Sequence, residues 1–178
     1  MIETEDNRLI SEILEGKIAS FDKLVKKYQK QIFNLCKRML KDTDDAKDIT
    51  QIVFVKAYNG LDSYKSKYKF FSWLYRIAVN ELINFSKTQR QFLYIDEKLI
   101  DKSPRPDEIL QKNESSEIIT EALQKLKPEY RSLIVLKYFQ ELSYQEISDI
   151  MNINEKKVKS QLYSARQILK DALILKGF

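Results

Sequence analysis

The stretch MNINEKKVKSQLYSARQILK, residues 151–170, predicts a turn followed by a long amphipathic helix. Asn152, Ile153 and Asn154 make the turn. Asn154 is a favourable N-cap, because an Asn side chain can accept a hydrogen bond from a free amide of the first helical turn. Apolar residues then recur at helical spacing. They form the stripe Val158, Leu162, Ala165 and Leu169.

A shorter helix is predicted immediately before this turn, in LSYQEISDIM, residues 142–151. Ser143 and Glu146 have the spacing of a capping box. Ile147 and Ile150 are placed to pack against the apolar stripe of the last helix. Two helices joined in this way are typical of a helix-turn-helix, whose second helix enters the DNA major groove.

The face opposite the apolar stripe of the last helix carries cations, hydroxyls and an amide. Lysine neutralises phosphate, and Ser and Gln can hydrogen-bond base edges. The pattern favours DNA binding, but Lys-rich helix faces also occur as plain solvated surfaces, and both interpretations stay open on this motif alone. The candidate DNA contacts are Lys156, Lys157, Lys159, Ser160, Gln161, Tyr163 and Ser164.

The front half also predicts helices, one of which begins near Phe71 and has two distinct faces. Its predicted buried stripe is Leu74, Ile77, Ala78, Leu82 and Phe85. A polar stripe at spacing i, i+4, i+8 and i+11 shares another face of the helix. It consists of Arg76, Asn80, Asn84 and Lys87.

The segment YKSKYKFFSW, residues 64–73, interleaves lysines with aromatic residues. Basic grooves with aromatic platforms suit single-stranded nucleic acid. Trp73 fits a DNA platform and a core position equally well. An earlier helix, over residues 45–58, has the predicted inner stripe Ala46, Ile49, Ile52, Val53, Lys56 and Ala57. Phe54 is expected to lie off that stripe, either as an interface anchor or packed against a neighbouring element.

Composition excludes several other functions. The chain has 178 residues, a net charge of +5, no His and a single Cys, Cys36. A Cys/His zinc site, an intramolecular disulfide and His-based catalysis are therefore excluded. The segment from Asp42 to Asp48 lacks the Gly and Glu of a calcium loop, and no P-loop is present. We expect no cofactor, no enzyme activity, no membrane insertion and a cytoplasmic location.

Residues 91–115, which contain DKSPRPDE, are predicted to be a linker, because proline is densest there and apolar periodicity is lost. On either side the chain resembles bacterial extracytoplasmic-function (ECF) sigma factors. FFSWLYRIAVNELINFSKTQR, residues 70–90, and DDAKDITQIVFVKAYNGLDSY, residues 44–64, resemble sigma region 2. LKPEYRSLIVLKYFQELSYQEISDIMNINEKKVKSQLYSARQILK, residues 126–170, resembles region 4. The resemblance implies an all-α fold of two small helical domains on a flexible linker, with region 2 in residues 1–90 and region 4 in residues 116–178.

The resemblance also implies roles for particular residues. Region 2 would bind the β′ clamp of core RNA polymerase through Asp45, Asp48, Gln51 and Phe54. It would grip the melted −10 element through Tyr64, Lys67, Lys69, Trp73, Arg76, Asn80, Asn84 and Lys87. Region 4 would bind the −35 duplex through the last helix, and it would also bind the β flap of the polymerase. Arg166 would have a structural role or contact a phosphate. An anti-sigma factor is an implied partner.

Two other classes of protein are alternatives to a sigma factor. An ordinary helix-turn-helix regulator would bind duplex DNA without polymerase, and its front half would serve oligomerisation or effector binding. The Lys/Tyr-rich segment argues against it, because such a regulator needs no groove for a melted strand. A nucleic-acid-processing enzyme would need clustered acids or a nucleophile with a base, and the sequence shows neither.

Overall fold

The computed structural model describes residues 5–96 and 114–175, and all regular secondary structure in these two ranges is helical, as predicted. A 3₁₀ turn at Leu61–Ser63 and a π-helical segment at Val135–Phe139 accompany the α-helices. The α-helices are α1 Glu5–Leu14, α2 Ala19–Met39, α3 Thr43–Asn59, α4 Phe70–Asp96, α5 Glu114–Lys125, α6 Pro128–Ile134, α7 Tyr144–Met151 and α8 Glu155–Ile174.

Helix α1 is an element that the sequence patterns above did not predict. Its buried residues Leu9, Ile10 and Ile13 lie on the side that packs on α2. Asp6 accepts hydrogen bonds from the Tyr28 hydroxyl and the Lys27 ammonium, each at 2.6 Å. Ten residues are too few for a stable isolated helix, so packing on α2 stabilises α1.

Helix α3 begins at a side-chain cap and corrects the predicted stripe. Asp42 accepts hydrogen bonds from the backbone amides of Asp44 and Asp45. The expectation that Phe54 lies off the buried face is wrong: its side chain is only 8% exposed. Ile52, predicted to face inward, is 40% exposed. The buried face of α3 therefore includes Phe54 as well as Val53, and Phe54 packs within the core.

Helix α4 ends at Asp96, and so extends into the stretch predicted to be a linker. It is the longest helix in the described ranges and packs against elements of both halves, namely α2, α3, α6 and α7. The rest of the predicted linker up to residue 113 lies outside the described residues.

Helices α7 and α8 of the second half begin at the caps that the sequence predicted. Pro128 occupies the first turn of α6, and Ser143 with Glu146 forms the capping box of α7. Asn152 adopts the left-handed conformation, with φ of 53°, at the turn between α7 and α8. Asn154 caps α8 by accepting a hydrogen bond from the Lys157 amide at 2.8 Å. Local polar chemistry therefore defines the helix-turn-helix.

The two halves pack against each other around a shared apolar cluster. Arg131 of α6 is only 3% exposed and is a central polar contact at this junction. Its guanidinium donates to the Leu123 carbonyl at 2.9 Å and, across the junction, to the Met39 carbonyl at 2.6 Å. Arg131 therefore links the end of α2 to the end of α5.

Candidate nucleic-acid interface

The outward face of α8 is open to solvent along its N-terminal half. Lys156, Lys157 and Ser160 are exposed, Gln161 and Ser164 are half-buried, and Tyr163 is 60% exposed. The ammonium of Lys159 lies 4.0 Å from the Glu155 carboxylate. All seven predicted residues therefore share one helix, in an arrangement that suits insertion into a major groove.

Aromatic residues beside α8 extend this surface and were not among the predicted contacts. The Tyr144 ring lies below the ammonium groups of Lys137 and Lys159, at 4.7 and 5.2 Å from the ring centroid. Tyr138 is 51% exposed, and its hydroxyl accepts a hydrogen bond from Arg166 at 3.5 Å. Tyr and Arg at these positions suit phosphate contacts that fix the register of a duplex. The available signal in the sequence was the pair Lys137 and Tyr138, followed by Tyr144 at the start of α7.

The predicted lysine-rich segment surrounds an aromatic cluster in the N-terminal half. The Tyr64 ring lies 5.7 Å from the Phe70 ring and 5.6 Å from the Trp73 ring. The Tyr64 hydroxyl donates to the Tyr68 carbonyl at 2.6 Å, and burial raises the pKa of Tyr64. Trp73 is half-buried, so it packs against the core and also keeps an accessible surface. Lys67 and Tyr68 are exposed.

We refer to Arg76, Asn80, Asn84 and Lys87 as the α4 stripe. All four lie on α4 as predicted, and Asn80, Asn84 and Lys87 are exposed. Arg76 is half-buried, and its guanidinium donates to the backbone carbonyl of Asp149 in α7. The Lys87 ammonium lies 2.8 Å from the Glu129 carboxylate of α6. The two cations of the stripe thus contact the second half of the chain, and the two amides remain accessible.

A cavity of about 310 Å³ lies between the N-terminal end of α4 and α7. One wall carries Lys67, Trp73 and Arg76, and the other carries Ser143, Gln145 and Glu146. The Lys69 ammonium lies 3.3 Å from the Glu146 carboxylate at this junction. Hydrogen bonds from the backbone and side chain of Ser143, together with Lys69, hold the pKa of Glu146 below its usual range.

The exposed face of α3 presents the predicted polar residues beside apolar ones. Asp48 and Gln51 are exposed, whereas Asp45 is half-buried and accepts a hydrogen bond from Gln89 at 3.1 Å. Partial burial and neighbouring carboxylates, Asp42 first, raise the pKa of Asp45. Ile52 and Val55, the latter 59% exposed, supply the accessible apolar surface that was expected from Phe54.

The described ranges contain neither a metal-binding cluster nor an exposed thiol. No group of three or more His, Cys, Asp or Glu residues that could hold a metal ion occurs in residues 5–96 or 114–175. Among these same residues, no helix is both long and apolar enough to span a membrane. Cys36 is fully buried, and burial raises the pKa of its thiol to about 11. The thiol is therefore protonated at neutral pH.

Similarity to known proteins covers both halves of the chain. Residues 24–92 match the sigma-70 region 2 family, and residues 116–169 match the sigma-70 region 4 family. The ECF RNA polymerase sigma factor SigW of Bacillus subtilis is 33% identical over 176 residues, which cover 92% of this chain and 94% of SigW. The ECF sigma-E factor of Escherichia coli is 30% identical over 176 residues, covering 92% of each protein.

Two solved structures have the same fold. The sigma factor RpoE of Bartonella quintana, in complex with the anti-sigma factor NepR, superposes with a TM-score of 0.68 at 20% identity and covers 86% of this chain and 96% of its own. CnrH, in complex with the cytosolic domain of CnrY, also gives a TM-score of 0.68, at 22% identity, covering 94% of this chain and 96% of its own. With matches to both regions and relatives of this identity along its length, the chain belongs to the ECF family of RNA polymerase sigma factors.

Proposed function

We propose that this chain binds core RNA polymerase and directs it to a specific set of promoters as an initiation subunit without catalytic activity of its own. The observation that carries the proposal is the presence of two helices with polar faces suited to nucleic acid, α4 and α8, in one chain that matches both sigma regions. One face suits a melted strand and the other a duplex. The chain acts in the cytoplasm, where RNA polymerase and promoter DNA are present.

The −35 duplex is the proposed ligand of α8. Ser160 and Gln161 lie in the N-terminal half of the helix, from which side chains reach base edges. Lys156, Lys157 and Lys159 neutralise flanking phosphates. Many ECF sigma factors have Arg at the positions of Gln161 and Ser164, and Arg is the usual reader of guanine. This chain is therefore expected to prefer a different −35 sequence.

The melted −10 strand is the proposed ligand of the α4 stripe and of the segment before it. Trp73 and Tyr68 provide stacking surfaces, and Lys67, Lys69, Arg76 and Lys87 provide positive charge. Asn80 and Asn84 supply amides, which can pair with a base edge. Tyr64 supports the position of Trp73 through the contact between their rings.

Core polymerase is the proposed partner of the exposed α3 face. Asp48 and Gln51 are polar contacts there, Asp45 lies at the edge, and Ile52 with Val55 forms the apolar centre. Burial of Phe54 favours a packing role for it, with an indirect effect on this face. For region 4, the apolar residues Ile168, Ile174 and Leu175 are 43%, 55% and 81% exposed and form the proposed surface for the β flap.

A matched pair of variants tests the α3 face. The variant Ile52→Ser/Val55→Ser should weaken binding to core polymerase by about tenfold or more, because two apolar interface side chains are lost. Leu14→Ser is the control, since Leu14 is a comparably exposed apolar residue on α1, at 53%. Equal affinities for the α3 variant and the control would place the polymerase contact elsewhere.

An anti-sigma factor is the second proposed protein partner. RpoE of Bartonella quintana was solved with the anti-sigma factor NepR, and CnrH with a cytosolic domain of CnrY. By similarity, such a partner would cover the polymerase-binding surfaces of both regions here. The test is purification of the tagged chain from cells under non-inducing conditions. Recovery with polymerase as the sole protein partner would contradict the proposal.

The run-off transcription assay tests the function as a whole. The purified chain is mixed with sigma-free core polymerase and a pooled promoter library from the source genome, and the RNA starts are sequenced. Discrete starts that share −35 and −10 motifs are expected. Absence of both initiation and core binding would instead favour the ordinary duplex-binding regulator. Such a regulator needs no sigma region 2, which this chain matches.

A further inference from the structure

The segment from Tyr64 to Lys69, called the 64–69 loop below, is closed on itself by one side-chain hydroxyl. The Tyr64 hydroxyl donates to the backbone carbonyl of Tyr68 at 2.6 Å. Within the loop, the Tyr68 amide donates to the Lys65 carbonyl at 3.0 Å. The loop carries the exposed cations Lys67 and Lys69, which are proposed contacts of the −10 strand. The conformation of the loop therefore depends on where the Tyr64 hydroxyl is held.

Helix α1 contacts the same hydroxyl from a distant part of the chain. The Tyr64 hydroxyl lies 3.1 Å from the side-chain carbonyl of Asn7, so Asn7 and the Tyr68 carbonyl share it as a three-centre hydrogen bond. Asn7 is half-buried, and a hydrogen bond in such a site is electrostatically stronger than one in bulk water. Asn7 therefore contacts the residue that closes the 64–69 loop.

The first turn of α1 is bonded to α2 beside this contact. Asp6, the neighbour of Asn7, accepts a hydrogen bond from the Tyr28 hydroxyl at 2.6 Å. In the last turn of α1, Glu12 accepts a hydrogen bond from the Ser20 hydroxyl. Because both ends of this short helix are bonded to α2, the position of Asn7 relative to the loop is fixed.

Ring contacts connect these hydroxyls to the proposed stacking surface. The Phe70 ring lies 5.7 Å from the Tyr28 ring and 5.7 Å from the Tyr64 ring. The Tyr64 ring in turn lies 5.6 Å from the Trp73 ring. Burial is the first cause that raises the pKa of both tyrosines, so both hydroxyls remain donors at physiological pH. Movement of Tyr64 therefore changes the surroundings of Trp73.

We propose that α1 sharpens the −10 preference without contacting DNA, with Asn7 as a positioning residue that fixes the 64–69 loop through the Tyr64 hydroxyl. The inference rests on the proposed −10 role of this loop. A binding surface that is already held in its bound geometry loses less entropy on binding and is more selective. Loss of the Asn7 contact should therefore lower the −10 preference. Binding to core polymerase and to −35 duplex, which use other surfaces, should not change.

Two single variants remove the contact from its two sides. Tyr64→Phe deletes the hydroxyl and keeps the ring, and Asn7→Ala deletes the side-chain acceptor. Tyr28→Phe is a third variant, which weakens the attachment of α1 and keeps the ring against Phe70. The matched control is Ser11→Ala, at an exposed residue about one turn further along α1. Circular dichroism and thermal unfolding first establish that each variant is folded.

Preference is measured with the full chain bound to core polymerase, by run-off transcription from promoters that differ at single −10 positions. Asn7→Ala should lower the ratio of starts at the best base to starts at the others by about two- to fivefold, as expected for one hydrogen bond. Tyr64→Phe should lower the ratio at least as much, because it also loses the bond to Tyr68. Tyr28→Phe should change the ratio in the same direction. Affinities for core polymerase and for −35 duplex should stay within about twofold of the parent chain, as for independent sites.

The double variant Asn7→Ala/Tyr64→Phe tests the route of the effect. Its preference should equal that of Tyr64→Phe alone, because Asn7 acts through the hydroxyl that Tyr64→Phe has already removed. A further loss in the double variant would contradict the route through Tyr64.

Trp73 fluorescence gives a second readout that needs no DNA. Trp73 is the one Trp of the sequence and is half-buried. A loosened loop exposes its ring to water, so the emission should shift to longer wavelength in Asn7→Ala, although residue 7 lies on a different helix. Ser11→Ala should leave the emission unchanged.

Unchanged preference in both Asn7→Ala and Tyr64→Phe would overturn the inference, and so would an equal loss in Ser11→Ala. A parallel loss of −10 preference, core affinity and −35 affinity would also overturn it, because α1 would then have a purely structural role. Failure of the proposed function is a separate result, since the parent chain itself then gives no starts with core polymerase.

Discussion

Helices α4 and α8 carry similar chemistry but differ in accessibility. Both are long and amphipathic, with a polar face suited to nucleic acid and an apolar face in the core. On α8 the lysines face solvent, and the acid paired with Lys159 is its own neighbour Glu155. On α4 and the segment before it, Lys69, Arg76 and Lys87 contact α6 and α7. The surface proposed for the −35 duplex is therefore open, whereas the surface proposed for the −10 strand is partly occupied by contacts within the chain.

The difference follows from where each helix lies in the fold. Helix α4 packs against elements of both halves, so its sides are shared between two units. Helix α8 packs only on elements of its own half among the principal contacts, and leaves one full face free. The polar side of α4 is therefore partly covered by the second half of the chain, whereas the polar face of α8 is not.

The largest expected effect comes from breaking the link between the halves at Arg131. Arg131→Ala removes donors to carbonyls of both halves and leaves those carbonyls buried, so the free energy of unfolding should fall by about 3 kcal/mol. Urea denaturation measures this loss. Arg131→Lys should recover only part of it, because an ammonium cannot reproduce the guanidinium fork. A loss no greater than that of Arg8→Ala, at an exposed Arg, would show that the junction is not stabilised here.

Duplex binding should depend strongly on the lysines of α8. Lys156→Ala/Lys157→Ala should weaken binding to −35 duplex on the order of 50-fold near 0.1 M salt and reduce the salt slope by about 1.8, as expected for two phosphate contacts. Filter binding over a salt series measures both. The matched control, Lys23→Ala/Lys26→Ala, removes the same charge from the exposed face of α2. If the control changed the slope equally, overall charge rather than the α8 face would account for binding.

Sequence preference in the −10 strand should depend on Asn80. Asn80→Ala should reduce the preference for the best −10 base by about five- to tenfold, the low end of what one bidentate base contact contributes. The measurement compares run-off transcription from promoters that differ at single −10 positions. Asn59→Ala, at an exposed Asn of α3, should leave the preference unchanged. Reduced activity with an intact preference would assign Asn80 to the strand backbone instead.

The smallest effect concerns the backbone around the helix-turn-helix. Glu141 and Asn152 both have positive φ, at 55° and 53°. Glu141→Gly should raise the free energy of unfolding by about 0.5–1 kcal/mol, because Gly relieves a left-handed conformation that Glu adopts poorly. Asn152→Gly should stabilise less, since Asn already tolerates this conformation. Thermal unfolding distinguishes the two, and equal shifts would refute the distinction.

Local signals in the sequence predicted much of this structure correctly. The capping box of α7 and the cap at Asn154 each depend on a few neighbouring residues. The family and the all-helical fold are confirmed as well. The roles of individual residues toward DNA and polymerase remain predictions.

Phe54 and α1 show where sequence reasoning failed. An error of one position on a helical wheel moved Phe54 from the buried to the exposed side, because the true apolar arc is wider than a narrow stripe. Helix α1 escaped prediction because its apolar face is short and consists of Leu9, Ile10 and Ile13. Its helicity is stabilised by α2, which no local pattern reports.

The sequence by itself predicted most of the helices, several of their ends and two candidate DNA-binding motifs, since these depend on periodicity and on side chains a few positions apart. The tertiary structure alone decided which of those motifs is accessible. Arg76 and Asp149, or Lys87 and Glu129, are far apart in the chain and meet only because α4 packs against α6 and α7. Pairing between distant charges depends on the packing of apolar faces, and such packing has no signature in a local stretch of residues.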